Sequence, residues 1–450
     1  MTKNQRLVLI ISILASLITF LDGSIVNVAL PAISRALGGG LTDQLWVVDT
    51  YLITLGAFIL VAGSISDLYG RKLVLYVGLI GFGVTSLLCA ASNSIDLLIA
   101  ARALQGLAGA LLVPSSLALI TSSFEGSSEA KAIGTWTGWT GMAFIIGPLV
   151  GGLLVDYLSW RLIFVINLLP IAITLYLLKY LASDRHQTVD VKIDILGAIY
   201  GALGLGGTVF GLIEDGHYGP ARAVVFLPFV LGLFMLAIFI RHEQKIKNPM
   251  LPLKLFKSRN FLAGNLATIS IYAGLSISTF TLIIFLQQVA KYSALDAGLS
   301  LMPTTAIMFI LSPRFGKLSG KYGPRLFMSL GPMIAAVGFL GLVRINSQAP
   351  YLSQVLPVVV IFALGLSMTV APLTSAVLGS VSSKQSGIAS AINNAVARIA
   401  GLLGIAAISL VTGTYLSVSG LHKAGVVISG LLALGGVVSF VGIRNSKTKT

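Results

Sequence analysis

The sequence predicts an all-α polytopic membrane protein with 14 transmembrane helices: two pseudo-symmetric six-helix bundles with two helices inserted between them. Three observations carry this expectation. The 450-residue chain is 56% hydrophobic and 10% charged, against about 25% charged residues in a soluble domain. Its apolar residues come in continuous blocks of about 20, enough for a helix to cross a bilayer, without the alternation of barrel strands. Its basic residues gather at alternate block ends, as the positive-inside rule requires.

In order, the expected spans are 7–30, 45–66, 73–92, 96–120, 133–155, 162–182, 194–213, 223–241, 261–287, 296–312, 326–345, 353–378, 387–414 and 421–443. The first is a 24-residue run broken by one charge, Asp22. Its length, and the lack of a small-residue cleavage site after it, mark a retained span rather than a cleaved leader. The tenth is short and holds Pro303. With the N-terminus placed in the cytoplasm, 22 of the 30 Lys and Arg residues fall on cytoplasmic segments and six outside. Both termini are then cytoplasmic, and the net charge of +15 reflects topology rather than a nucleic-acid surface.

The chain repeats itself at an offset of 253 residues: 63–72 reads GSISDLYGRK and 316–325 reads GKLSGKYGPR. At the same offset Gly147, Pro148 and Gly151 of span five meet Ala400, Gly401 and Gly404 of span thirteen. Residues 1–182 are therefore read as an N-terminal six-helix bundle, 183–260 as two inserted helices with linkers, and 261–450 as a C-terminal six-helix bundle. Two related six-span halves are an architecture of secondary transporters.

Several chemistries are not expected. One cysteine, Cys89, gives no disulfide framework, and the four histidines lack metal-ligand spacing. No phosphate-binding glycine loop precedes a Lys-Ser/Thr pair, so ATP hydrolysis is not expected. No nucleophile–base constellation stands out. The reading is a non-enzyme with no cofactor and no metal.

In the segment joining spans two and three, Gly63 and Gly70 suit close approach and a tight turn. Asp67 suits a helix start, and Arg71 and Lys72 suit acids or helix ends. The segment serves either as a latch between helix bundles or as a basic turn that only sets orientation. Span five carries Gly134, Gly138, Gly141, Gly147, Gly151 and Gly152 on a nearly side-chain-free face. Such a face suits close helix packing, and Pro148 favours a kink.

Together these motifs resemble the major facilitator superfamily, and within it the fourteen-span drug/proton antiporters. The 63–72 segment is similar to that family's signature loop, and 316–325, with Gly320 in place of the acid, to its degenerate repeat. LDGSIVNVALP (21–31), WVVDTY (46–51), ARALQG (101–106) with Pro114, GPLVGG (147–152), SWR (159–161) and NLLP (167–170) resemble successive motifs of the first half, in order. The resemblance implies that 63–72 gates alternating access. It also implies that Gly138, Gly141, Gly147, Pro148, Gly151 and Gly152 form a helix that biases the protein toward exchange.

Among the charges, Asp22, Asp49, Arg102 and Arg398 lie well inside spans. Ionisable groups there are costly and mark ion or proton pathways. Asp22, Asp49 and Arg102 have compatible depths and are expected to cluster in the first half as a proton-coupling site. The alternatives are an ion pair of Asp22 with Arg102 that only holds helices together, a helix-start role for Asp49, and outward snorkelling of Arg102. Asn27, Gln105, Trp136, Gln287, Asn393, Asn394 and Arg398 are candidates to line a cavity; most membrane aromatics instead face lipid or pack.

The function expected is export of lipophilic or cationic small molecules (drugs, dyes, antiseptics) in exchange for protons by alternating access. The partners are then substrate, protons and the lipid bilayer, without nucleic acid. The protein is expected as a monomer in the plasma membrane. The alternatives are an exporter of one metabolite or antibiotic on the same fold, and a membrane scaffold or sensor that has lost transport.

Overall fold

Helices account for every long element of the computed structural model, which describes residues 1–124, 127–181, 194–219, 222–246, 249–381, 385–413 and 415–445. Six of the 22 basic residues counted on cytoplasmic segments, Arg185, Lys192, Lys247, Lys384, Lys447 and Lys449, lie outside the described residues. Among the described residues there is no strand.

The helices are α1 (Lys3–Leu37), α2 (Leu41–Tyr69), α3 (Arg71–Ala91), α4 (Ile95–Ser123), α5 (Ser127–Gly141), α6 (Ala143–Tyr157), α7 (Leu162–Val165) and α8 (Leu168–Leu178). There follow α9 (Ile195–Tyr218), α10 (Ala223–Lys245), α11 (Arg259–Gln288), α12 (Ala294–Ser300), α13 (Met302–Tyr322) and α14 (Pro324–Leu340). The last four are α15 (Leu356–Leu378), α16 (Ser386–Ala407), α17 (Ser409–Thr412) and α18 (Val418–Gly442).

Twelve helical segments among the described residues are long and apolar enough to cross a membrane, not the 14 expected. The shortfall falls on expected spans two and six. In α2 the side chains of Leu60 and Asp67 lie outside the described residues. The sixth span is the shorter apolar stretch Leu162–Leu178, interrupted at Ile166 and Asn167. The apolar all-round α10 exposes Val224, Phe226, Leu227, Val230, Leu231 and Phe234. A helix of that kind with little of its surface buried belongs against lipid.

The chain groups into two units. One comprises Met1–Thr208, Pro228–Met250 and Ser293–Leu295; the other comprises Val209–Leu227, Leu251–Tyr292 and Asp296–Thr450. The inserted pair α9 and α10 is shared between the units.

The 253-residue repeat is visible in each unit's backbone. Gly70 alone separates α2 from α3, at φ 91° and ψ 134°; Gly323 alone separates α13 from α14, at φ 86° and ψ 154°. A positive φ of that size favours glycine. The expected loop at 63–72 is thus a one-residue turn. No proline or helix-breaking glycine interrupts residues 64–69, so α2 runs on until Gly70 stops it. The basic residue two positions later then ties each turn to a later helix end. Lys72 Nζ donates to the Leu181 carbonyl at 2.5 Å, and Arg325 Nε to the Phe440 carbonyl at 2.8 Å.

Close packing repeats as well. A Cβ at Gly147 of α6 would lie 1.9 Å from Ser24 Oγ of α1, and one at Gly151 2.6 Å from Ile25 Cγ1. In the other unit a Cβ at Gly401 of α16 would lie 2.5 Å from Ser276 Oγ of α11, and one at Gly404 3.0 Å from the Ala273 carbonyl. Gly147→Val is expected to cost about 1–3 kcal/mol by overpacking, read as a lower unfolding temperature in detergent. Gly138→Ala, with nothing within 4 Å of the new Cβ, is the control and should cost nothing.

The inserted helices are joined at one end by Asp194. Its Oδ1 accepts from the Gly197 N–H at 2.9 Å, capping α9, and from His242 Nε2 of α10 at 2.8 Å. Burial pushes the Asp194 carboxyl up, but the Gly197 N–H and its bonds to His242 and Glu243 outweigh this and hold it below the ordinary 3.8. A carboxyl with a depressed folded pKa stabilises above its unfolded value and loses that contribution as pH falls through the folded one. Asp194→Ala is expected to cost about 1–2 kcal/mol at neutral pH, the range of a lost N-cap. The difference from wild type should shrink only below pH 3.8, as pH-dependent thermal melts in detergent would record.

Candidate functional site

Close approach of α4 to α2 builds the site. A Cβ at Gly106 would lie 2.1 Å from Thr54 Oγ1 and 2.4 Å from the Tyr51 carbonyl, so glycine alone lets the two backbones meet. Arg102, one turn before Gly106, is thereby laid over the Tyr51 ring, with Cζ 4.1 Å from its centroid. That ring in turn is held by its hydroxyl, which donates to the Thr19 carbonyl of α1 at 3.3 Å.

Arg102 and Asp22 are 1% and 0% exposed. Arg102 Nη1 donates to Asp22 Oδ2 at 2.5 Å and to Gln105 Oε1 at 2.6 Å, while its Nε donates to the Val47 carbonyl of α2 at 3.1 Å. Asp22 Oδ1 accepts from Gln105 Nε2 at 3.1 Å and from Asn167 Nδ2 at 3.0 Å. Ser86 Oγ of α3 accepts from Gln105 Nε2 at 2.9 Å and lies 3.5 Å from Asn167 Nδ2. Cys89 Sγ reaches Gln105 Oε1 at 3.5 Å.

Both Asp22 oxygens are therefore met by N–H donors from α4 and from the break between α7 and α8. A buried ion pair supplied with further hydrogen bonds in this way repays its desolvation. An ionised carboxylate accepts only, whereas a protonated one must donate from one oxygen. Taking up a proton therefore forces this network to rearrange, and a rearranging acid at a helix junction can couple protonation to helix movement.

Asp22 and Arg102 are bonded to each other, and the outward snorkelling of Arg102 is not observed. Asp49 is on the same unit but is not hydrogen-bonded to either. It lies inside α2, which begins at Leu41, so it is no helix-start residue. It is 0% exposed, and neither of its carboxyl oxygens has a hydrogen-bond partner.

Of the cavity candidates, Gln105 belongs to the Asp22 cluster instead. Its Oε1 and Nε2 are spent on four partners there. Trp136 is buried, and its Nε1 donates to Ser16 Oγ of α1 at 3.1 Å. Asn27 is half-buried and turned back on the Gly23 carbonyl of its own helix. In the second unit Gln287 is buried on α11 and Arg398 is half-buried on α16. Asn393 donates to Asn265 Oδ1 at 3.1 Å and Thr268 Oγ1 at 2.8 Å, while Asn394 is exposed and bonded to the Ser390 carbonyl.

Span five is interrupted at Met142, one and a half turns before Pro148. Proline disturbs the turn that precedes it. Gly147 and Gly151 pack on α1 as expected, and Gly152 is buried. Gly134, Gly138 and Gly141 meet no side chain within 4 Å, so they are not packing glycines. Gly138 instead lines a shallow depression with Thr135, Trp139 and Met142. In the 63–72 segment, Gly63 likewise meets nothing within 4 Å. Arg71 opens α3 beside Lys72, and the Asp67 side chain lies outside the described residues.

Asn167, Ser86 and the ring of Tyr51 are the site residues that the sequence reading left without a role. Asn167 had a readable signal, a lone amide within an apolar run. Ser86 had none, because serine in a helix commonly satisfies itself on the preceding turn.

The sequence profile of the Major Facilitator Superfamily matches residues 12–405. The methylenomycin A resistance protein of Bacillus subtilis (strain 168) is 31% identical over 425 residues, covering 93% of this chain and 89% of that protein. The multidrug transporter protein MdtP of the same organism is 32% identical over 409 residues, covering 90% and 74%. The tetracenomycin C resistance and export protein of Streptomyces glaucescens is 29% identical over 398 residues, covering 87% and 72%. Among solved structures, the peptide transporter POT in complex with sulfate aligns with a TM-score of 0.72 at 14% identity, covering 98% of this chain and 94% of that one. The inward-open xylose transporter XylE from E. coli aligns with a TM-score of 0.67 at 13% identity, covering 98% and 97%. Those two likenesses concern the fold.

Proposed function

Because the chain belongs to the Major Facilitator Superfamily, we propose that it is a secondary active transporter of the plasma membrane. On this reading it exports lipophilic or cationic small molecules in exchange for protons. The observation that carries the coupling is Asp22, a fully buried carboxylate whose two oxygens take N–H groups from Arg102, Gln105 and Asn167. Asp22 exchanges the proton, and Arg102 supplies the charge that competes with it. Protonation of Asp22 from outside the cell would then accompany substrate release.

Fourteen spans fit the chain better than twelve. The 29-residue α2 is long enough to cross a bilayer, and α7 with α8 supplies a further apolar stretch. An even number of spans puts both termini on one side, which the basic residues place in the cytoplasm. The three-part division at 182 and 260 is kept on the same ground. The protein acts as a monomer, with gating by the Gly70 turn and Arg71 and Lys72.

The relatives' names favour two substrate ranges. One is broad, as in the multidrug transporter, and the other is a single antibiotic, as in the methylenomycin A and tetracenomycin C proteins. Expression in an efflux-deficient bacterial host, with a panel of dyes and antibiotics, separates them. Efflux of several unrelated cations supports the broad range, and efflux of one compound the narrow range. Efflux that survives collapse of the proton gradient contradicts proton coupling in either case.

A further inference from the structure

We propose that Asn167 is the positioning residue that reads the protonation state of Asp22, by presenting its amide nitrogen to the carboxylate and its amide oxygen to the acid. This rests on the reading of Asp22 as the proton-exchanging group.

Two amides touch Asp22 Oδ1, and only one of them has an end without a partner. Gln105 has both ends engaged: Oε1 accepts from Arg102 and faces Cys89 Sγ, while Nε2 donates to Asp22 and Ser86. Turning it over would place an oxygen against the carboxylate and a nitrogen against the guanidinium. Asn167 is fully buried as well, yet its Oδ1 has no hydrogen-bond partner while its Nδ2 donates to Asp22 Oδ1 at 3.0 Å and, at 3.5 Å, to Ser86 Oγ. A buried amide oxygen without a partner costs free energy, so its retention here calls for an explanation.

The orientation follows from donor and acceptor chemistry. A carboxylate accepts only, so the nitrogen must face it. When a proton arrives from the aqueous side and binds Oδ1, that oxygen becomes a donor. A half-turn of the Asn167 amide then offers Oδ1 of the asparagine to the new O–H. The half-turn gives the unpartnered oxygen a donor, while the nitrogen gives up Asp22 and the 3.5 Å contact with Ser86 Oγ. Asn167 stands between α7 and α8 as the residue preceding α8, so its turn is felt where that span is already broken.

Other titratable or charged groups of this unit, Asp49 excepted, either belong to the cluster or hold partners elsewhere. Arg102 is bound to Asp22, Cys89 faces Gln105, and the Tyr51 ring lies against the guanidinium. Asp49 makes no hydrogen bond to the cluster. Arg161 spends Nη1 on the carbonyls of Ala90 and Ser92. Asp156, at the end of α6, accepts from the N–H groups of Ala294 and Leu295.

The test uses the purified full-length protein in liposomes with ethidium as probe substrate, driven by an imposed pH gradient across a series of pH values. Asn167→Leu removes a charge-assisted N–H bond from the carboxylate and only a weaker, neutral acceptor from the acid, so on balance it disfavours the carboxylate. Asn167→Leu is therefore expected to move the midpoint of the pH profile upward by about one unit. Asn167→Asp makes a carboxyl pair that shares a proton and is expected to move it further in the same direction. Infrared pH-difference spectra add a direct readout. The acid C=O band that Asp22→Asn removes should shift in Asn167→Leu, because its O–H has lost its acceptor.

If Asn167→Leu does not fold, Asn167→Asp alone decides by its midpoint. A wild-type midpoint in the folded variants overturns the inference, as does an unshifted Asp22 band in Asn167→Leu, while proton coupling through Asp22 stands. A wild-type protein indifferent to the gradient, or an Asp22→Asn variant that remains coupled, overturns the coupling reading and this inference with it.

Discussion

Arg102→Met is expected to destabilise the protein by about 3–5 kcal/mol, the cost of leaving one partner of a buried pair uncompensated. The substitution removes every donor the guanidinium supplies: to Asp22, to Gln105 and to the Val47 carbonyl that ties α4 to α2. It also removes the cation lying 4.1 Å from the Tyr51 ring, an interaction of the kind that strengthens when desolvated. Asp22 keeps Gln105 and Asn167 but loses its counter-charge. The loss should be largely recovered in the double variant Asp22→Leu with Arg102→Met, where no charge is left buried. Unfolding in mixed micelles of the two single variants and the double variant closes the cycle. Additive losses would mean that the pair does not interact in the working protein.

Asp22→Asn is expected to abolish gradient-driven transport while leaving a folded protein. Its side chain has nearly the volume of aspartate. The asparagine oxygen can still accept from Arg102, which also retains the Val47 carbonyl, Gln105 and the Tyr51 ring. What asparagine cannot do is exchange a proton. A fall in driven ethidium transport to the level of empty liposomes, with facilitated exchange of substrate down its own gradient preserved, is the expected pattern. Loss of both would reduce Asp22 to a packing role. Retention of both would remove it from the mechanism.

The helical class, the repeat and the charged pair were legible for one physical reason. Charge in an apolar helix is costly, so Asp22 and Arg102 stand out against their surroundings and require each other. The repeat proved legible down to single residues: Gly70 and Gly323 end corresponding helices with the same left-handed turn, and Lys72 and Arg325 then reach corresponding helix ends. Asp49 was legible as a buried acid, but its lack of partners was not, because hydrogen bonding depends on rotation about the helix axis. The same limit applies to glycine. Gly138 and Gly147 look alike in sequence, yet one faces open space and the other Ser24, since the helix is interrupted between them at Met142. Nothing in the linear sequence says that Gln105 lies between a carboxylate and a serine of other helices, so its place in the cluster is not legible there.

The most direct test of the central claim is proton release on substrate binding. The purified wild-type protein, held in weakly buffered detergent at the midpoint of its transport pH profile, is mixed with ethidium and the bulk pH is followed. If Asp22 carries the proton that substrate displaces, the wild-type protein acidifies the solution in proportion to bound ethidium, and Asp22→Asn binds ethidium without doing so. Equal acidification by both proteins, or none by the wild-type protein at saturation, would contradict the account.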